Sequence, residues 1–168
     1  QEISNNFASV LLRAGCKKND IVVSEIMFDP FDGESEWVEI YNNSSYSLNL
    51  AGWTISDIVT PVKAVITNKN ITIDKFEYAV ITPDTNKFPY YPPNKFFQAK
   101  FGALGNSADG LIISDNRGMI IDSVQYDSNY DVGKGFSIER INYNKSGCDV
   151  SNWTPSLNYN GATPGLKN

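Results

Sequence analysis

Glu36-Trp37-Val38-Glu39-Ile40-Tyr41 alternates without a break: Trp37, Glu39 and Tyr41 fall on one side, Val38 and Ile40 on the other. A two-residue period in aromatic and β-branched residues is the pattern of a strand, so this part of the chain is committed to a sheet. Asn42-Asn43-Ser44-Ser45 ends the run, because Asn and Ser side chains bond nearby backbone groups and favour turns. Apolar alternation resumes at Leu48, Leu50, Trp53 and Ile55 around Gly52, which can take a positive φ or let another segment pass close by. Ser35–Asp57 therefore reads as strand, turn, short strand, Gly-Trp corner and strand, and it carries two of the three tryptophans.

The rest of the chain repeats this vocabulary. Ile21 to Phe28 is almost continuously apolar, which predicts a strand covered on both faces. Ala64–Ile73 reads as a strand or hairpin interrupted at Asn68-Lys69-Asn70, and Phe76–Thr82 as a strand. Phe96–Phe101 reads as a short strand. Asp109–Asp115 and Met119–Tyr126 make a hairpin around Asn116-Arg117-Gly118, and Gly135–Ile141 is the last clear strand. Pro83–Lys95 holds four prolines and cannot be a strand interior; Ser151–Asn168 is an extended Pro/Gly-rich tail, of which Trp153 to Pro164 is expected to pack across the sandwich and end the fold. No segment sustains the ~3.6-residue apolar period of a helix. Short strands with turn signals about every ten residues predict an all-β antiparallel sandwich or barrel, and the expectation is two packed sheets with about eight to nine strands and little helix. Residues 1–20, with a short apolar patch at Val10-Leu11-Leu12, read as an arm or linker, and 21–168 as one domain long enough to bury a core without staples.

Charge narrows the function. Nineteen acidic and fourteen basic residues give a net charge of -5 with no basic cluster, so a nucleic-acid partner is not expected. No apolar run approaches the ~20 residues of a membrane span. There is no histidine, which removes the commonest general base and the commonest neutral metal ligand. The chain opens at Gln1 without a Met, a charged n-region or an apolar h-region, as an excised or processed piece would. Cys16 and Cys148 stand in polar, loop-like surroundings; a disulfide between them and two free thiols are both open readings. Five N-x-S/T matches in so Asn-rich a chain carry no information on glycosylation.

Four groups of side chains invite a chemical reading. Asp29, Asp32, Glu34 and Glu36 crowd one loop, but their spacing is that of a solvated acidic turn rather than a calcium loop. Asp127, Asn129 and Asp131 place oxygens at alternate positions, as calcium loops do. Gly133 and Glu139 nevertheless fall one place late for an EF-hand, so an Asx-type turn is favoured and calcium is the alternative; no other cofactor is expected. Phe88, Tyr90, Tyr91, Phe96 and Phe97 beside Pro92-Pro93 could form a stacking platform for a sugar or peptide, or fold back to plug the end of the sandwich. Glu25, Glu36, Glu39 and Asp57 lack any sign of the cleft that a carboxylate-pair glycosidase needs. Glu39 shares a face with Trp37 and Tyr41 and, if buried, needs a partner, for which Arg140 is the candidate. The three tryptophans read as core residues.

The motifs together resemble the lamin tail domain family in its bacterial exported or surface form. Val22-Val23-Ser24-Glu25-Ile26-Met27 with Pro30, Glu36 to Asn42, and Leu48 to Asp57 carry the first three signatures. Leu104 to Asp109, Ile121 to Tyr126, Gly135 to Arg140, Trp153-Thr154-Pro155 and Ala162-Thr163-Pro164-Gly165 follow in the family's order, so the resemblance covers Ile21 to Asn168. It implies an immunoglobulin-like sandwich and no catalytic activity. The expectation is a binding or structural module of a larger protein, extracellular, periplasmic or at the cell surface, with a protein or a cell-surface glycan as partner. The alternatives are a carbohydrate-binding module using the 83–97 loop and an accessory domain of a secreted hydrolase or nuclease.

Overall fold

The computed structural model describes residues 16–59, 62–127, 130 and 132–167. Twelve strands run in the order β1 (Ile21–Met27), β2 (Trp37–Asn42), β3 (Leu48–Asn49), β4 (Thr54–Asp57), β5 (Lys63–Val65), β6 (Thr72–Ile73), β7 (Tyr78–Thr82), β8 (Phe96–Gln98), β9 (Asp109–Ser114), β10 (Ile120–Tyr126), β11 (Ile138–Arg140) and β12 (Trp153–Pro155). They form a six-stranded sheet, β12-β11-β1-β2-β7-β8, a four-stranded sheet, β10-β9-β4-β5, and the small pair β3-β6. The architecture is an all-β sandwich, as the alternation predicts, and immunoglobulin-like, as the family resemblance implies. Twelve strands replace the expected eight or nine because β3 and β6 are two-residue pairings and the tail contributes β12. The predicted 64–73 hairpin is absent: β5 pairs with β4, and β6 with β3.

Period-two alternation sorts the side chains into layers. Val38 and Ile40 of β2 join Ile21, Val23 and Ile26 in the main core, with Ile55, Leu111, Ile113 and Ile121 of the second sheet. Trp53 and Trp153 lie in the same core, 2% and 5% exposed. Trp37 points the other way, into a second apolar cluster with Met27, Val80 and Ala162 on the outer face of the six-stranded sheet. β1 is buried along its whole length, as its continuous apolar sequence predicts, because the C-terminal tail covers the face that the second sheet does not.

One polar link crosses the core. β1 bulges between Val23 and Glu25, and β10 between Ile120 and Asp122. Asp122 accepts a bond from the Val23 amide at 2.9 Å and an ion pair from Arg140 Nη1 at 2.6 Å. Arg140 also donates to the carbonyls of Val23 and Lys145. A buried ion pair stands only when further bonds satisfy its groups; these bonds satisfy Nη1 and Nη2 of Arg140, while its buried Nε has no partner among the described residues.

Candidate functional site

The 83–97 loop was the strongest candidate platform in the sequence, and most of its rings are turned inward. Phe88 and Tyr90 meet Trp37 edge-on, at centroid distances of 5.8 and 5.9 Å, and Phe88 contacts Phe96 at 4.8 Å. Phe97 on β8 is buried in the main core. Of the five predicted residues, Tyr91 alone is exposed, at 92%. The physical reason is Trp37: an indole on the outer face needs cover, and the adjacent proline-rich loop supplies aromatic edges for it. The rings thus cap the outer face of a sheet rather than the end of the sandwich.

The tail lies beside this loop. Tyr90 Oη donates to Asn160 O at 3.2 Å, and a Cβ on Gly165 would stand 2.9 Å from Pro93 Cβ. Leu157 and Tyr159 are 92% and 91% exposed, and Leu166 is 62% exposed. Tyr91 and Tyr159 each sit one residue from the Tyr90–Asn160 contact. Loop and tail together carry an exposed apolar and aromatic surface, of which the tail half was not legible in its Pro/Gly-rich pattern.

The acidic loop behaves as a turn. Glu34 accepts from the Phe31 amide at 3.1 Å, Asp32 pairs with Lys134 at 2.6 Å, and Asp29 accepts from Asn106 Nδ2 at 3.1 Å. Beside it is a cleft of about 570 Å³ that Glu36 and Lys87 also line. Burial pushes the Glu36 carboxyl up, against a bond from the Leu104 amide, and the carboxylates of Asp109 and Asp29 push it further. A second cleft, of about 740 Å³, is lined by Cys16, Tyr46, Trp53, Asp115 and Arg117, where the Arg117 guanidinium is held by Asp115 at 2.7 Å. Among the described residues no group of three His, Cys, Asp or Glu is placed to hold a metal ion. Of the predicted calcium loop, Asn129 and Asp131 lie outside the described residues; Asp127 is within them, and its carbonyl accepts from the Tyr130 amide at 3.1 Å.

Cys16 and Cys148 are free thiols, so the disulfide reading is not realised. Cys16 packs against the main core beside the second cleft, whereas Cys148 Sγ lies 3.4 Å from Ser123 O on β10.

The expected Glu39–Arg140 pair is not formed either. Neighbouring strand residues face opposite sides, so Glu139 shares the outer face with Glu39 while Arg140 points into the core toward Asp122. Glu39 instead joins a row of three. Register places Glu139 opposite Glu25, and Glu25 opposite Glu39, across β11, β1 and β2. All three are buried, at 8%, 0% and 0% exposure. Burial pushes Glu25 up to about 7 and Glu39 well above the usual carboxylate range; the charge of Glu139 adds to both shifts, and that of Glu25 to the Glu39 shift.

A family model described as the Lamin Tail Domain matches residues 16–128, from the segment before β1 through β10. A comparison with curated proteins finds no match. The matched span is more than half of the chain and contains Trp37 on β2, Trp53 before β4, the β1 bulge and the β9–β10 hairpin, whereas β11, β12 and the tail lie beyond it. The lamin tail domain is an immunoglobulin-like, non-enzymatic fold of interaction and structural modules, and this chain belongs to that family.

Proposed function

We propose that the chain is a non-catalytic binding or attachment module of a larger exported or surface protein, with its contact face built from Tyr91, Leu157, Tyr159 and Leu166. The observation that carries this reading is the exposure of Tyr91, Leu157 and Tyr159 above nine-tenths, on two segments joined by the Tyr90–Asn160 bond. Tyrosine suits such a face because it offers a large rigid apolar area with a polar tip. The partner is a protein or a cell-surface glycan. Tyr91 and Tyr159 also favour the glycan reading, since a sugar ring stacks on an exposed aromatic face as readily as an apolar peptide side chain does.

The test uses the whole chain and its Tyr91→Ala/Tyr159→Ala variant. Both are measured against an immobilised glycan array and against surface proteins taken from the same source. The expected result is a loss of ~10-fold or more in affinity in the double variant, with an unchanged melting temperature. Equal binding by both would overturn the assigned face. Turnover of a glycoside, ester or phosphodiester by the purified chain would overturn the non-catalytic reading.

A further inference from the structure

The glutamate row is covered by the C-terminal segment Gly161-Ala162-Thr163-Pro164-Gly165. Two glycines with positive φ, +79° at Gly161 and +82° at Gly165, turn the backbone at either end. Between them Ala162 packs on Met27, Trp37 and Val80. The Thr163 amide donates to Glu25 Oε1 at 2.9 Å, and the Gly165 amide to Glu39 Oε2 at 2.5 Å. From beneath, Ser137 Oγ meets Glu25 Oε1 at 2.5 Å and Ser24 Oγ meets Glu39 Oε1 at 2.7 Å.

Thr163 Oγ1 supplies a proton count. It lies 3.3 Å from Glu25 Oε2 and 3.1 Å from Glu139 Oε1. A hydroxyl has one hydrogen to give, so full two-centre bonds to both carboxyls form only when one of them is protonated and donates to it. Among the described residues none of the three glutamates forms an ion pair. The titratable groups nearest the row are phenols: Tyr41 on β2, Tyr78 on β7, Tyr143 after β11 and Tyr90 in the proline loop. Burial pushes each of these phenols up, so they stay neutral across the physiological range. Arg140 is spent on Asp122 at the opposite face. Like charges directly opposite one another on adjacent strands repel, and here Glu25 has one on each side.

We propose that segment 161–165 is a proton-operated strap. It is closed while Glu25 or Glu39 holds a proton, and it lifts when both are ionised in the row, uncovering Met27 and Trp37. Lifting admits water to the carboxylates, which is what a fully charged row requires. The sign follows from the burial-raised Glu25 and Glu39: closure is favoured at acidic pH and weakens as pH rises, with Glu25 losing its proton through about 7 and Glu39 held well above the usual carboxylate range.

The test is amide exchange of Thr163 and Gly165 by NMR between pH 5 and pH 9, corrected for intrinsic exchange, with carboxyl-carbon titration of the glutamates in the same samples. The expected result is a fall of ~10-fold or more in protection across neutral pH, together with a row glutamate titrating above pH 6. Glu25→Gln presents a permanent donor to Thr163 Oγ1, so in this variant protection should stay high throughout. Flat protection in the unmodified chain, or the same fall in Glu25→Gln, would overturn the proposal. Should Glu25→Gln not fold, the titration of the unmodified chain decides: three glutamates all ionised by pH 5.5 would overturn it.

Discussion

Glu139 and Arg140 are adjacent in sequence and end in opposite environments: Glu139 in an outer row of carboxyls, Arg140 in the core with Asp122. The same rule that makes a strand legible, alternation of faces, also forbids the Arg140–Glu39 pair that composition invites. Removing one member of a buried pair leaves the other charged and unsatisfied. Asp122→Ala is therefore expected to lower unfolding free energy by about 3–5 kcal/mol, measured by denaturant titration, because it strands Arg140 and the Val23 amide together. Trp37→Ala should cost about the same by a different route. It removes the ring that Phe88 and Tyr90 pack against and leaves a cavity under the proline loop. Its specific readout is faster proteolytic cleavage within residues 83–95.

The elements were legible in proportion to how local their causes are. The β9–β10 hairpin follows from one turn: Gly118 takes φ +82°, and Asp115 accepts from the amides of Arg117 and Met119, both at 2.9 Å. β2 follows from its own alternation and β1 from its continuous apolar run. The 64–73 segment was misassigned because its two short strands pair with β4 and β3 rather than with each other, and a local apolar pattern does not name the partner. The extended tail packs across the sandwich as expected, and it does so by supplying β12 and the strap, neither of which its Pro/Gly-rich pattern names. A Cβ at Gly161 would stand 2.1 Å from Gly135 O. Gly161→Ala should therefore displace the strap at every pH, abolishing Thr163 and Gly165 protection while leaving the β9–β10 amides protected.

At the scale of the molecule, two sets of carboxyls set the pH profile in opposite directions. Burial raises Glu25 to about 7 and Glu39 well above the usual carboxylate range, so their contribution is complete below about pH 4.3 and is lost as pH rises, for Glu25 through about 7. Asp115 is lowered: burial opposes the shift, but bonds from Arg117 and Met119 outweigh it. Its contribution is present above about pH 3.9 and is lost as pH falls through its lower folded value. The melting temperature is therefore expected to peak at weakly acidic pH and to fall by several degrees toward pH 8.5; a flat or rising profile over that range would contradict the buried row. The sequence by itself determined the fold class, the order of the strands and the faces of β2, because period two is a property of the backbone and needs no neighbour. Even the row left a trace there, as single glutamates amid the otherwise largely apolar strands Ser24-Glu25-Ile26, Val38-Glu39-Ile40 and Ile138-Glu139-Arg140. Only the tertiary structure decided that these glutamates, from three strands, stand side by side under the tail. Register between strands distant in sequence is fixed by packing and bulges, and no local pattern carries it.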